Sequence, residues 1–91
     1  KRQLSILLVE DNEVNIELAL LMLIKLKHRV TVAKNGSEAL DILSRNAEFD
    51  IILMDMQMPI MDGITATIEI NKIDKFAETP LNIKIIRIKI V

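Results

Sequence analysis

Apolar residues along this chain fall into two rhythms, short unbroken runs and longer helical stripes. The first run, residues 4–9, ends abruptly on Glu10-Asp11. A second, residues 51–54, ends on Asp55. Runs of this length without alternation read as strands buried on both faces, the habit of a parallel sheet. Between them, Asp11-Asn12-Glu13 is a polar turn in which Asn12 suits a helix N-cap and Glu13 the first turn. The pattern predicts a helix over residues 13–27. Its stripe is Val14, Leu18, Leu21 and Met22, widened by Leu20, Leu23 and Ile24. A helix this apolar is expected to be buried on more than one side. Lys25 and Lys27 stand in its last turn, where cations suit the helix dipole.

Residues 29–33 are rich in β-branched side chains and predict a short strand. Lys34-Asn35-Gly36 signals a turn. Ser37 reads as the cap of a helix over residues 38–46, with Ala39, Leu40, Ile42 and Leu43 toward the sheet. Phe49-Asp50 leads into the strand at 51–54. Residues 56–61 form a loop stiffened by Pro59, in which Met56, Met58 and Met61 serve packing, contact with a partner being the alternative. Asp62-Gly63 opens a helix over 64–73, and residues 75–81 with Pro80 form a further loop. In residues 82–91, Ile83, Ile85, Ile86, Ile88 and Ile90 interleave with Lys84, Arg87 and Lys89, which predicts a fourth strand with mixed faces. Strands alternating with helices imply a parallel sheet joined by right-handed crossovers.

This arrangement gives the acids their interest. Ligands of open α/β sheets bind outside the carboxyl ends of the strands. If the strands at 4–9 and 51–54 are parallel neighbours, Glu10, Asp11 and Asp55 converge on one edge. Three carboxylates in one crevice repel one another, and either protonation or a bound cation relieves them. Oxygen-only ligands suit a hard cation, with Mg²⁺ the leading choice. The plainer reading is that these acids merely end strands.

Composition narrows the field. Ninety-one residues allow one domain. The abundance of Ile, Leu, Val and Met favours a packed core over disorder. A net charge of −1 offers no nucleic-acid footprint. Without cysteine there is no disulfide framework and no thiolate metal site. The longest apolar stretch, residues 18–24, is too short to span a bilayer, and no signal peptide opens the chain. A cytoplasmic setting is expected, and the abrupt opening at Lys1 suggests a piece of a longer protein. His28, the single histidine, lies in a turn beside Lys27 and Arg29, where dipole complementarity accounts for it; it has no helical setting of its own.

Ile-Leu-Leu-Val-Glu-Asp-Asn (6–12) followed by Leu-Met-Asp-Met-Gln-Met-Pro-Ile-Met-Asp-Gly (53–63) resembles the receiver domain of two-component response regulators. It is most similar to the receiver modules of hybrid sensor histidine kinases. The resemblance covers residues 4 to about 86. It implies a flavodoxin-like doubly wound parallel sheet of order 2-1-3-4-5, here truncated to four strands and about three helices. Residues 1–91 would then be one receiver domain, incomplete at its C-terminal end. The resemblance further implies that Asp55 takes a phosphoryl group from phosphohistidine on a histidine kinase or histidine phosphotransfer protein. Mg²⁺ would be held by Glu10, Asp11, Asp55 and the backbone carbonyl of Gln57. Any catalysis by the chain would be its own phosphorylation and dephosphorylation.

Two departures from the family matter. Receivers carry Ser or Thr at the end of strand four, yet no hydroxyl residue follows Pro80, and Lys89 falls near that position. They also carry a Lys and then Pro at the end of a fifth strand, which the chain does not reach. The favoured reading of the departures is a truncated or altered sequence that leaves a metal site without a working switch; the alternative is that Lys89 points inward and replaces the lost cation. An apolar fourth strand at a sheet edge invites pairing, so a homodimer through residues 83–91, or by exchange of elements, is expected. Three functions compete. The first is a phosphoacceptor module of a phosphorelay. The second is a phosphohydrolase of the haloacid-dehalogenase type, disfavoured because Gln57 stands where that class needs a second Asp. The third is a degenerate or engineered receiver fragment serving only as a structural or dimerisation module.

Overall fold

A computed structural model describes residues 3–46, 48–55 and 84–88. In chain order these give β1 (Ser5–Val9), α1 (Glu13–Lys25), β2 (Arg29–Ala33), α2 (Gly36–Arg45), β3 (Ile51–Asp55) and β4 (Lys84–Ile88). The strands form one sheet of order β2-β1-β3-β4, and every neighbouring pair is parallel. This is the order and sense of the doubly wound sheet that the sequence predicts. The expected loop at 56–61, the helix at 64–73 and residues 89–91 lie outside the described residues.

The two faces of the sheet follow from strand alternation. Leu7 and Val9 of β1 and Ile52 and Met54 of β3 join Ala33, Ala39 and Phe49 in one buried cluster, against which Leu40, Ile42 and Leu43 of α2 pack. All four residues predicted to turn α2 toward the sheet do so. Ile6 and Leu8, also buried, belong to the opposite face with Leu53, their register partners being Ile51 and Leu53. There α1 lies over the sheet, and a groove lined by Leu18, Met22, Leu53 and Ile88 runs along it.

The prediction for α1 needs correction. Ile16 is the one buried residue of this helix, with Ala19, Leu20 and Leu23 half-buried beside it. The stripe of Val14, Leu18, Leu21 and Met22 is exposed, Leu21 to 70% and Met22 to 67%. A helix lying on one face of a sheet buries a single stripe, and the Ile16–Leu20–Leu23 spacing wins that place. The helix also ends two residues early, at Lys25, because Lys27 adopts a left-handed conformation with φ 69°.

The start of α2 differs as well. Asn35, not Ser37, is the N-cap: its Oδ1 accepts the Glu38 N–H at 2.8 Å. The Glu38 carboxylate returns to accept the Lys34 N–H at 2.7 Å, a reciprocal closure of the first turn. Ser37 therefore lies inside the helix and is exposed.

Candidate functional site

Register brings the acids together. Leu8 is paired with Leu53 and Val9 with Met54. One step beyond, Glu10 stands beside Asp55 on the same face as Leu8 and Leu53, since residues side by side in parallel strands share a face. On its other side Glu10 is held to β2, its N–H donating to the Ala33 carbonyl at 2.9 Å. Asp11 follows where the chain leaves the sheet. One carboxylate oxygen from each of Glu10, Asp11 and Asp55 lies within 4.8 Å of the others. The cluster sits at the carboxyl edge of the central strands, as predicted. Glu10 and Asp55 are buried while Asp11 is exposed, so the pocket opens to solvent on the Asp11 side.

Glu10 is the residue under strain. Its side chain is fully buried, 0% exposed. One oxygen, Oε2, accepts the Asn12 N–H at 3.0 Å. The other, Oε1, is buried with no hydrogen-bond partner among the described residues. Burial pushes this carboxyl above the ordinary carboxylate range; the Asn12 N–H opposes the shift and the neighbouring Asp55 charge adds to it. A buried anionic oxygen without a donor is costly. A cation at that oxygen removes the cost, and the donor set of three carboxylates fits a hard, oxygen-preferring ion.

Asn12 ties the pocket to α1. Its Oδ1 accepts the Asn15 N–H at 3.1 Å and its carbonyl accepts the Ile16 N–H at 2.9 Å, so it is the N-cap predicted from sequence. Nearby, Lys34 and Glu13 pair at 2.8 Å across the mouth between β2 and α1. Both are exposed, so the pair adds little to stability, and the Glu13 carboxylate raises the Lys34 ammonium above its usual value. Gln57 and Lys89 lie outside the described residues. The register sets Ile88 beside Asp55, so the strand position flanking the acid carries an aliphatic side chain and not a hydroxyl.

Sequence reading missed the ties made by Asp50 and His28. The Asp50 Oδ2 accepts the Ser5 N–H at 2.8 Å, which locks the start of β1 to the approach of β3. The His28 Nδ1 accepts the Leu4 N–H at 3.1 Å. In this contact the ring serves as an acceptor for the backbone of β1, a role that its place at a helix end did not suggest.

An open parallel α/β domain with three carboxylates gathered at the carboxyl edge of its middle strands is the class that this fold and site define. The response regulator receiver domain family matches residues 6–87, and the chain belongs to that family. Over 63 residues it is 51% identical to hybrid signal transduction histidine kinase M of Dictyostelium discoideum, covering 68% of this chain and 3% of that protein. Over 72 residues it is 42% identical to the oxidative stress response two-component system protein SSK1 of Candida albicans, covering 79% of this chain and 10% of that protein. The chain thus spans a small part of the length of these relatives. Among solved structures, the receiver domain of Ssk1 from Saccharomyces cerevisiae, crystallised with the histidine phosphotransfer protein Ypd1, superposes with a TM-score of 0.71 at 29% identity. That superposition covers 93% of this chain and 62% of the other. Among the described residues no helix is long and apolar enough to cross a membrane.

Proposed function

We propose that residues 1–91 act as a phosphoacceptor receiver in a two-component phosphorelay, with Asp55 as the residue phosphorylated. The observation that carries this reading is the meeting of Glu10, Asp11 and Asp55 around an unpartnered buried oxygen. An Asp55 carboxylate oxygen attacks the phosphorus of a phosphohistidine. The new O–P bond forms as the N–P bond breaks, and the imidazole nitrogen keeps the electron pair and takes up a proton. Glu10, Asp11 and Asp55, with the Gln57 carbonyl that the family resemblance adds, would hold Mg²⁺, and the ion would supply charge neutralisation for the phosphoryl oxygens. The donor is a histidine kinase or a histidine phosphotransfer protein, in keeping with the partner of the Ssk1 receiver, and the setting is cytoplasmic.

The test is incubation of the chain with Mg²⁺ and a small acyl phosphate, read by intact mass. Gain of one phosphoryl group, dependent on the metal and lost in Asp55→Asn, supports the reading; an unchanged mass defeats it. Such a failure favours the second reading, a structural or dimerisation module, for which there is one specific observation: Ile88 flanks Asp55, and no hydroxyl residue follows Pro80. In that reading two copies associate along residues 83–91. Among the described residues β4 is an edge strand, and its Ile86 is exposed. Light scattering that returns the mass of one chain at high concentration ends the dimer proposal.

A further inference from the structure

The end of the sheet opposite the acid pocket holds a second arrangement built on His28. Helix α1 closes there with paired reverse bonds, the Lys27 N–H donating to the Ile24 carbonyl at 2.8 Å and the His28 N–H to the Leu23 carbonyl at 3.1 Å. This closure fixes the His28 backbone at the entrance to β2. The next residue joins the ladder, the Arg29 N–H donating to the Leu4 carbonyl at 2.9 Å, and the first register pair of β1 with β2 is Ser5 with Arg29. The Leu4 N–H has no strand carbonyl as its acceptor and donates instead to the His28 Nδ1 at 3.1 Å. Leu4 is therefore gripped through both of its polar backbone groups by two consecutive residues, one of them through its ring. On the other flank the Ser5 N–H donates to the Asp50 Oδ2 and the Asp50 N–H to the Ser5 carbonyl, both at 2.8 Å. The first two amides of the β1 segment are thus received by side chains, an imidazole and a carboxylate.

We propose that His28 is an acid-sensitive clasp on the entrance to β1. The ring holds Leu4 only in the tautomer with its proton on Nε2. A second proton, placed on Nδ1, sets a donor against the Leu4 N–H, and the bond is lost. The charged residues on the described elements meeting there are Lys25 and Lys27 from the end of α1, Arg29 of β2, and Asp50 ahead of β3, whose carboxylate is engaged by Ser5. Of these groups the ring alone accepts the Leu4 amide, so its protonation loosens the start of β1. The clasp belongs to the fold and does not depend on the phosphoacceptor reading.

Nitrogen-15 NMR of the full chain tests this. At neutral pH the His28 ring is expected as the Nε2–H tautomer. The Leu4 amide resonance should move with the same midpoint as the ring's own titration. Protection of that amide from exchange should fall about three- to tenfold on ring protonation, the loss of one ordinary hydrogen bond. His28→Gln should abolish the pH step, and His28→Phe should leave Leu4 weakly protected at every pH. An Nδ1–H tautomer at neutral pH, a Leu4 amide that stays still while the ring titrates, or a step that persists in His28→Gln overturns the proposal. The tautomer is read on the unsubstituted chain, so it decides the question even if a variant does not fold.

Discussion

Glu10 and Asp55 sit side by side one rung beyond the last register pair of β1 with β3, with one Glu10 oxygen tied to Asn12 and the other buried without a partner. Two acids so placed oppose each other, and a cation at the unpartnered Glu10 oxygen relieves the opposition. Addition of Mg²⁺ is expected to stabilise the fold, by about 2.7 kcal/mol when the free ion stands at a hundred times its dissociation constant. Thermal unfolding with and without the ion measures the gain. In Glu10→Gln the gain should shrink or vanish, while the metal-free protein loses a buried charge and is expected to melt no lower than the parent. A parent chain whose melting is indifferent to the ion refutes the site.

The direction of the Glu10 shift sets a pH dependence in the metal-free chain. Its pKa is raised by burial, so between the ordinary carboxylate value and the raised one the folded chain binds more protons than the unfolded chain. The contribution of this group is therefore fully present below the unfolded value and is lost as pH rises through the folded value. Denaturant midpoints recorded in chelator across that window should show this component decline with rising pH. The decline should be absent in Glu10→Gln.

The two candidate caps of α2 can be told apart by substitution. Asn35→Ala removes the side-chain acceptor of the Glu38 N–H and is expected to cost about 1 kcal/mol. Ser37→Ala should be nearly neutral or slightly stabilising, because an exposed Ser within a helix gives way to a better helix former. Chemical denaturation of the two variants settles the assignment.

Lys27 holds a left-handed conformation that glycine adopts without a Cβ clash. Lys27→Gly is expected to raise stability by about 0.5 kcal/mol, the relief of strain being partly offset by the greater freedom of the unfolded chain. A fall in the melting temperature would show that the Lys27 side chain contributes more than its backbone costs.

Helix α1 offers the sharpest contrast between neighbouring apolar positions. Ile16→Ala opens a hole beneath the helix and should cost about 2–5 kcal/mol. Met22→Lys, on the exposed stripe, should change stability by less than about 0.5 kcal/mol. Equal costs at both positions would contradict the helix orientation.

The sheet was legible in the sequence because its two central strands, β1 and β3, are short apolar runs that end on acids. Glu10 and Asp55 could be paired in advance, since a parallel order and two strand ends suffice to bring them to one edge. Asn12 as a cap followed from the same local rule. The rotation of α1 was not legible, because apolar residues surround the helix and 3.6-residue periodicity then selects no single stripe; only contact with the sheet chose Ile16 over Leu21. Asn35 and Ser37 are both good caps, and the decision between them lay in where the chain leaves β2. Asp50 and His28 escaped because their partners, Ser5 and Leu4, lie 45 and 24 residues away in the chain, beyond the reach of any local pattern.

Asn12 is a shared hinge-pin: its amide touches the Glu10 carboxylate while its side chain ties off the first turn of α1. Whatever draws on the Glu10 oxygens therefore also tugs at the root of a helix whose outer side is bare hydrocarbon. The Asn12 and Asn15 amides are therefore the places to listen when a divalent cation is added.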